Sequence, residues 1–264
     1  MRFGGHGAPV LYWLFVLATT AAVLEAEGPS PVMTADAIVQ KMIAANAHRG
    51  QELLSYSGKR LYSVNYHGFP GARDAQMQVE ATYTAPDKKE FKILSQSGSK
   101  ILINHVFLKL LDSEKEYLRE ATRRASELSP ENYEFTLLGR EHTEDGDCWV
   151  LRVNPREKSQ FLYKGKIWVD AHDFAVARIQ GEPAKNPSFW ISHTEIDHHY
   201  RKLGDFWFPA HNESITQVRL GGKAVLTIDY SDYQVTTANQ VKSEHVSPTE
   251  PLLPPPSTVT ADPH

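Results

Sequence analysis

Between Ser188 and Arg201 the chain sets His193, Glu195, Asp197 and His199 at every second position, with His198 between them. On an extended strand alternate side chains share a face, so these four point one way and His198 the other. Imidazole and carboxylate two positions apart make a donor set that suits zinc, and His211 lies close in sequence. The same pattern is also what the wetted face of an antiparallel sheet carries. The expectation is therefore a solvated face with no metal and no cofactor.

The other reactive residue types lead the same way. Asp170 and Asp173 flank a short polar turn, where aspartate is favoured for bonding to the backbone rather than as one of a catalytic pair. Cys148, the only cysteine, sits in a β-rich run with no Cys-His motif around it and reads as a small buried hydrophobe. It excludes an intrachain disulfide. No phosphate-binding loop, nucleophile elbow or His-Glu-x-x-His sequence occurs, and the expectation is a protein that is not an enzyme. Asn212-Glu213-Ser214 is a glycosylation sequon, without meaning in a bacterial protein. Trp149, Trp168, Trp190 and Trp207 fit equally the walls of a cavity or an ordinary core.

The elements that would position these residues are mostly strands. Ile167-Trp168-Val169-Asp170 and Phe174 to Ile179 are β-rich runs about a turn at Ala171-His172-Asp173, with Gly181-Glu182-Pro183 stopping the second. That hairpin is expected in the middle of one antiparallel sheet, since similar runs lie on both sides without a long helix between them. Tyr56, Tyr62, Val64 and Tyr66 alternate with polar residues, as do Met77, Val79, Ala81 and Tyr83. Phe91 and Ile93 continue the pattern after a turn at Ala85-Pro86-Asp87. Further strands are expected over 133–141, 148–153, 161–170, 188–201, 206–219 and 224–235.

Two stretches change period. Thr34 caps a helix to about Asn46 with Ile38, Val39, Met42 and Ile43 on one stripe, closed by His48-Arg49-Gly50. Ile103, Val106, Phe107, Leu110 and Leu111 follow helical spacing, and a charged segment from Glu114 to Arg124 leads to Ser129-Pro130.

Arg2 and the apolar run from Pro9 to Leu24 describe a secretory signal peptide, with cleavage expected after Ala26 and an uncleaved anchor as the alternative. Residues 27–32 form a linker, 33–237 one domain, and the Pro-rich 238–264 a tail expected to be disordered. Removing residues 1–26 takes away one base and one acid and leaves the net charge at −4, which argues against nucleic acid as a partner. No cysteine near the cleavage site offers a lipid anchor, and a monomer soluble after export is expected.

The order of helix, alternating strands, amphipathic helical insert and meander, with Ile167-Trp168-Val169-Asp170, Phe206-Trp207-Phe208-Pro209 and Leu226 to Tyr233, resembles the LolA-like lipoprotein-sorting family. It is also similar to the N-terminal domain of RseB-type envelope-stress regulators. The resemblance covers about residues 33–237. It implies a mainly β fold: an unclosed antiparallel barrel of about ten strands around an apolar cavity, lidded by short helices. It further implies a periplasmic carrier of lipoprotein acyl chains for outer-membrane sorting, with acylated lipoproteins or other lipids and membrane-bound donor and acceptor proteins as partners. An RseB-like sensor that binds lipid or a regulatory protein is the alternative, and a metal-dependent enzyme the third reading. The chain departs from the small carriers in the segment Glu114 to Ser129 and the Pro-rich tail.

Parity then assigns the ligand-binding residues. The walls are expected at Tyr62, Val64, Met77, Val79, Tyr83, Phe91, Ile93, Phe135, Leu137, Trp149 and Leu151, and the lid at Ile38, Met42, Val106, Phe107 and Leu110.

Overall fold

The computed structural model of the chain describes residues 33–144, 146–186, 191–219 and 221–240. All belong to the compact unit Met33–His264. The segment read as a signal peptide, the expected cleavage after Ala26 and the tail beyond residue 240 lie outside the described residues.

Helix α1 (Ala35–Glu52) begins where the Thr34 hydroxyl accepts the Ala37 amide at 3.2 Å, as its N-cap composition demands. It does not close at Gly50. Gly50 lies inside the last turn, and the helix ends at an extended Leu53. Glycine costs about 1 kcal/mol inside a helix. Here the turn is held from outside, because the Arg49 guanidinium donates to the carbonyls of Asp173 and Phe174 at 2.9 and 3.4 Å.

Ten strands follow: β1 (Leu53–Gly68), β2 (Arg73–Thr84), β3 (Lys88–Gly98), β4 (Tyr133–Thr143), β5 (Gly146–Pro155), β6 (Tyr163–Asp170), β7 (Val176–Pro183), β8 (Ile191–Leu203), β9 (Phe206–Val218) and β10 (Gly222–Thr237). They form one antiparallel sheet in the order β3-β2-β1-β10-β9-β8-β7-β6-β5-β4. The two outer strands, β3 and β4, do not pair with each other, so the sheet is curled and not closed. Hairpins account for every neighbour except β1 and β10, whose pairing joins the two ends of the chain.

The β6–β7 hairpin is not central, as the sequence suggested, but stands toward the β4 edge. Its turn is as expected: Asp170 Oδ1 accepts the His172 and Asp173 amides at 3.0 and 2.7 Å, the local bonding for which aspartate is favoured in turns. The strand β7 ends at Pro183, the proline of the expected Gly181-Glu182-Pro183 stop. Gly165 and Gly181 face each other at the closest approach in this hairpin, where a Cβ on Gly165 would stand 2.1 Å from the Gln180 carbonyl oxygen. Extra residues stand at register shifts in β1 (Leu54), β3 (Leu94), β4 (Leu138), β7 (Ala177), β8 (Ser192) and β9 (Ala210), and bulges of this kind bend a strand.

Between β3 and β4 the chain crosses the concave face. A short α2 (Lys100–Leu102) runs into a π-turn (Ile103–Phe107), then α3 (Leu108–Tyr117) and α4 (Glu120–Ser126). The amphipathic stretch is thus a broken helix, and the charged segment Glu114 to Arg124 runs from the end of α3 into α4. Two separate cores result. Ile38, Val39 and Met42 of α1 pack with Tyr133, Leu151, Val153, Leu162, Ile167, Val169 and Ile179 over β4–β7. Ile103, Phe107 and Leu111 pack with Tyr62, Val64, Ala75, Met77 and Val79 over β1 and β2. Among the described residues no helix is long and apolar enough to cross a membrane.

Candidate functional site

Neither core fills the concave face of β8, β9 and β10. Their inward residues leave a cavity of about 650 Å³, roofed by Leu110, Ser113, Glu114 and Tyr117 of α3 and by 160–163 on the other side. A row of partners crosses its floor from one core to the other: Ile179, His198, Asn212, Ile228, Tyr62. The row beside it runs Gly181, Ile196, Ser214, Leu226, Val64. Most of the wall area is apolar, from Ile191, Ile196, Leu226, Ile228, Phe161 and Leu162. At its rim the Tyr117 and Phe161 rings meet edge-on with centroids 5.5 Å apart.

The roof is tied to the sheet by ions. The Arg60 side chain is only 6% exposed, and its guanidinium donates to both Glu114 oxygens at 2.5 and 3.1 Å. It also donates to the Tyr62 hydroxyl at 3.2 Å and lies against the Phe91 and Tyr230 rings. Lys89 of β3 pairs with the same carboxylate. Burial alone would raise the Glu114 pKa, but Lys89 and Arg60 outweigh it and hold the group below the ordinary carboxylate value. Burial likewise opposes the Arg60 charge, and Glu114 more than restores it, leaving the guanidinium pKa raised. One carboxylate on α3 thus anchors the helix to β1 and β3.

The floor carries polar groups as well. Burial pushes the His198 imidazole down to about 4, with Asp197 opposing and His199 and His211 adding to the shift, so it is neutral near pH 7. Asn212 Nδ2 donates to the Tyr230 hydroxyl at 3.0 Å, and its Oδ1 is buried without a partner. The Tyr163 hydroxyl is also buried and unpartnered.

Of the residues assigned from parity, Tyr62 and Leu110 line this cavity. Val64, Met77, Val79 and Phe107 are buried in the core over β1 and β2, with Phe91 and Val106 packed against it. The Phe107 and Tyr62 rings stand 5.7 Å apart. Ile38, Met42 and Leu151 are buried in the core under α1, with Phe135, Leu137 and Trp149 beside it. Tyr83 stacks on Tyr56 with ring centroids 5.4 Å apart, and Ile93 is 42% exposed. The inward residues of β8–β10 were missed, although Thr194, Ile196, His198 and Tyr200 share one parity in the sequence. Their mixture of apolar and polar types hid the face. Trp168 packs with Cys148, Val150 and Ala177 on the opposite side of the sheet, with Trp207 beside them. Trp190 lies outside the described residues.

On that opposite side the histidine and carboxylate row is taken up in contacts within itself and with its neighbours. His193 faces Glu182 at 3.2 Å and Glu195 at 3.3 Å, Asp197 accepts from Arg178 at 2.8 and 2.5 Å and lies 3.1 Å from His199, and His211 faces Asp229 at 2.6 Å. A hollow of about 590 Å³ lies there across β5–β9, walled by Arg152, Lys164, Lys166, Glu182, Glu195 and Asp197 in mixed charge. Among the described residues no three His, Cys, Asp or Glu side chains are placed to hold a metal ion.

No protein-family model matches the chain, and no curated protein does. Solved structures similar to it include a domain assigned to outer membrane lipoprotein sorting from Vibrio parahaemolyticus. The identity is 13% and the TM-score 0.41, over 78% of this chain and 97% of that one. A DUF1329 family protein from Desulfovibrio piger matches at 13% identity and TM-score 0.37, over 76% and 93%. A LolA superfamily protein from Nitrosomonas europaea matches at 14% identity and TM-score 0.29, over 77% and 94%. At these values the strand order described above, and not the likeness, defines the fold.

Proposed function

We propose that the chain is an exported carrier that holds the acyl chain of a lipid or lipoprotein in the cavity over β8–β10, for transfer between membranes of the cell envelope. The observation that carries this reading is the 650 Å³ of unfilled, largely apolar space between two well-packed cores. Folding that fills two cores and leaves a third stretch of greasy sheet open forgoes stabilisation, unless a ligand supplies it. The volume falls in the ~300–1,000 Å³ range of small-molecule sites, which is room for one ligand and not for several long chains. Burying a methylene is worth about 0.8 kcal/mol, so a ~16-carbon chain contributes roughly 12 kcal/mol before the costs of binding. Apolar walls and a movable roof suffice for that, and no catalytic group is required.

The roof is suited to moving. It is three short pieces of helix broken by a π-turn, seated on β1 and β2 through Ile103, Phe107 and Leu111 and tied beside the cavity by Glu114. Donor and acceptor proteins in the two membranes would load and unload it, and the periplasm is the compartment the N-terminal sequence fits. Mass spectrometry of organic extracts from the purified protein is the test. Acylated lipid in amounts near one per chain is expected, and an extract free of lipid after purification without detergent would contradict the reading.

A further inference from the structure

The middle of the cavity floor is not greasy. His198 and Asn212 are directly opposed on β8 and β9, between the apolar pairs Ile179 and Ile228 in the same row. Asn212 spends one end of its carboxamide on the Tyr230 hydroxyl, and the other end is buried with nothing to bond. The His198 backbone is paired in the ladder, and its ring, being neutral, presents one donor and one acceptor. Such groups are paired in nearly all folded proteins, and a buried amide left alone is costly. A plain hydrocarbon laid over this floor would leave the Asn212 oxygen unpaired and offer the imidazole nothing to bond.

We propose that the preferred ligand is an acyl chain carrying a hydroxyl group part-way along its length, set against Asn212 and His198. This rests on the acyl-carrier reading above and adds the chemical class of the chain. A hydroxyl both donates and accepts, so it satisfies either end of a carboxamide and either nitrogen of a neutral imidazole. The charge of the site argues for a neutral group there. Arg60, the cation bonded to Tyr62 at the end of the row, is already engaged through both amino nitrogens, with Glu114 and Tyr62. Discrimination of this kind is effective, because a site built to bond a hydroxyl is left with unpaired buried groups by the analogue that lacks one.

The test is displacement of a fluorescent fatty acid from the full chain by stearate and by hydroxystearates with the hydroxyl at carbon 3, 10 or 12. At least one mid-chain isomer is expected to bind about tenfold more tightly than stearate, a difference of about 1.4 kcal/mol. Affinity is expected to depend on the hydroxyl position. In Asn212→Leu, checked for folding by its thermal melt, the preference should vanish while stearate still binds. Equal affinity for all four chains would overturn the proposal and leave the carrier reading standing. A preference that survives Asn212→Leu would also overturn it. Should that variant not fold, dependence on hydroxyl position in the wild type decides alone. Failure of every chain to bind would remove the carrier reading and this inference with it.

Discussion

At the scale of single residues, burial decides what the titratable groups do. His198 lies on the inward face of β8, where desolvation lowers its pKa from 6.5 to about 4. A group whose charged form is disfavoured in the fold loses stability as the unfolded chain takes up its proton. The loss therefore begins as pH falls through 6.5 and is complete near 4. At about 1.4 kcal/mol per pH unit it amounts to about 3 kcal/mol. Replacing His198 by Leu should remove that part of the acid dependence, read from urea melts at pH 7 and pH 4.5. An unchanged difference between the two pH values would show that the imidazole is solvated. The neighbours His193, His199 and His211 are each half-exposed beside carboxylates, which is why the residues that drew attention in the sequence do less than the one between them.

Among elements, α3 is the piece whose attachment matters. Its Glu114 carboxylate is 30% exposed and is shared by Arg60 and Lys89. Its lowered pKa means that the attachment is present above the ordinary carboxylate value and is lost as pH falls through the lower folded one. Glu114→Gln removes the charge and leaves Arg60 buried beside a neutral amide, at a cost of about 2 kcal/mol. The expected result is faster amide exchange across Leu108–Tyr117 and Glu120–Ser126 than across β1 and β2, and faster release of a fluorescent fatty acid. Exchange that rises equally throughout would mean that the ions hold the whole domain and not the roof.

Secondary structure was largely legible, because alternation in Tyr62 to Tyr66 and Met77 to Tyr83 is a local signal and each strand needs only its neighbour to satisfy it. The helix boundaries were less so. Gly50 continues α1 because Arg49 reaches carbonyls 124 and 125 residues away, which no local pattern records. The same limit applies to the cavity. Parity names the residues that face inward. Whether Val79 and Phe107 meet each other or a ligand depends on where the insert from 100 to 126 lands, and it lands on β1 and β2.

In the whole molecule, a single curled sheet serves as the wall of two cores and of the space between them. The insert and α1 cover its two ends, and the strands that join the chain's ends, β1 and β10, carry the cavity's floor toward Tyr62. The edges are guarded: β3 bears Lys88, Lys89 and Lys92, and β4 bears Arg140, Glu141 and His142, charges that oppose pairing with another chain. Space for a ligand and resistance to edge pairing therefore come from the same open sheet. The central claim, that this space is where a lipid sits, is tested most directly by filling it. Ser214 stands on the floor between Ile196 and Leu226 and belongs to neither core, and Ser214→Phe would place a ring in the cavity. Titration of a fluorescent fatty acid into wild type and Ser214→Phe, with thermal melts beside it, is the measurement. The account predicts at least tenfold weaker binding with a melting temperature that holds or rises. Undiminished binding by the filled protein would contradict it.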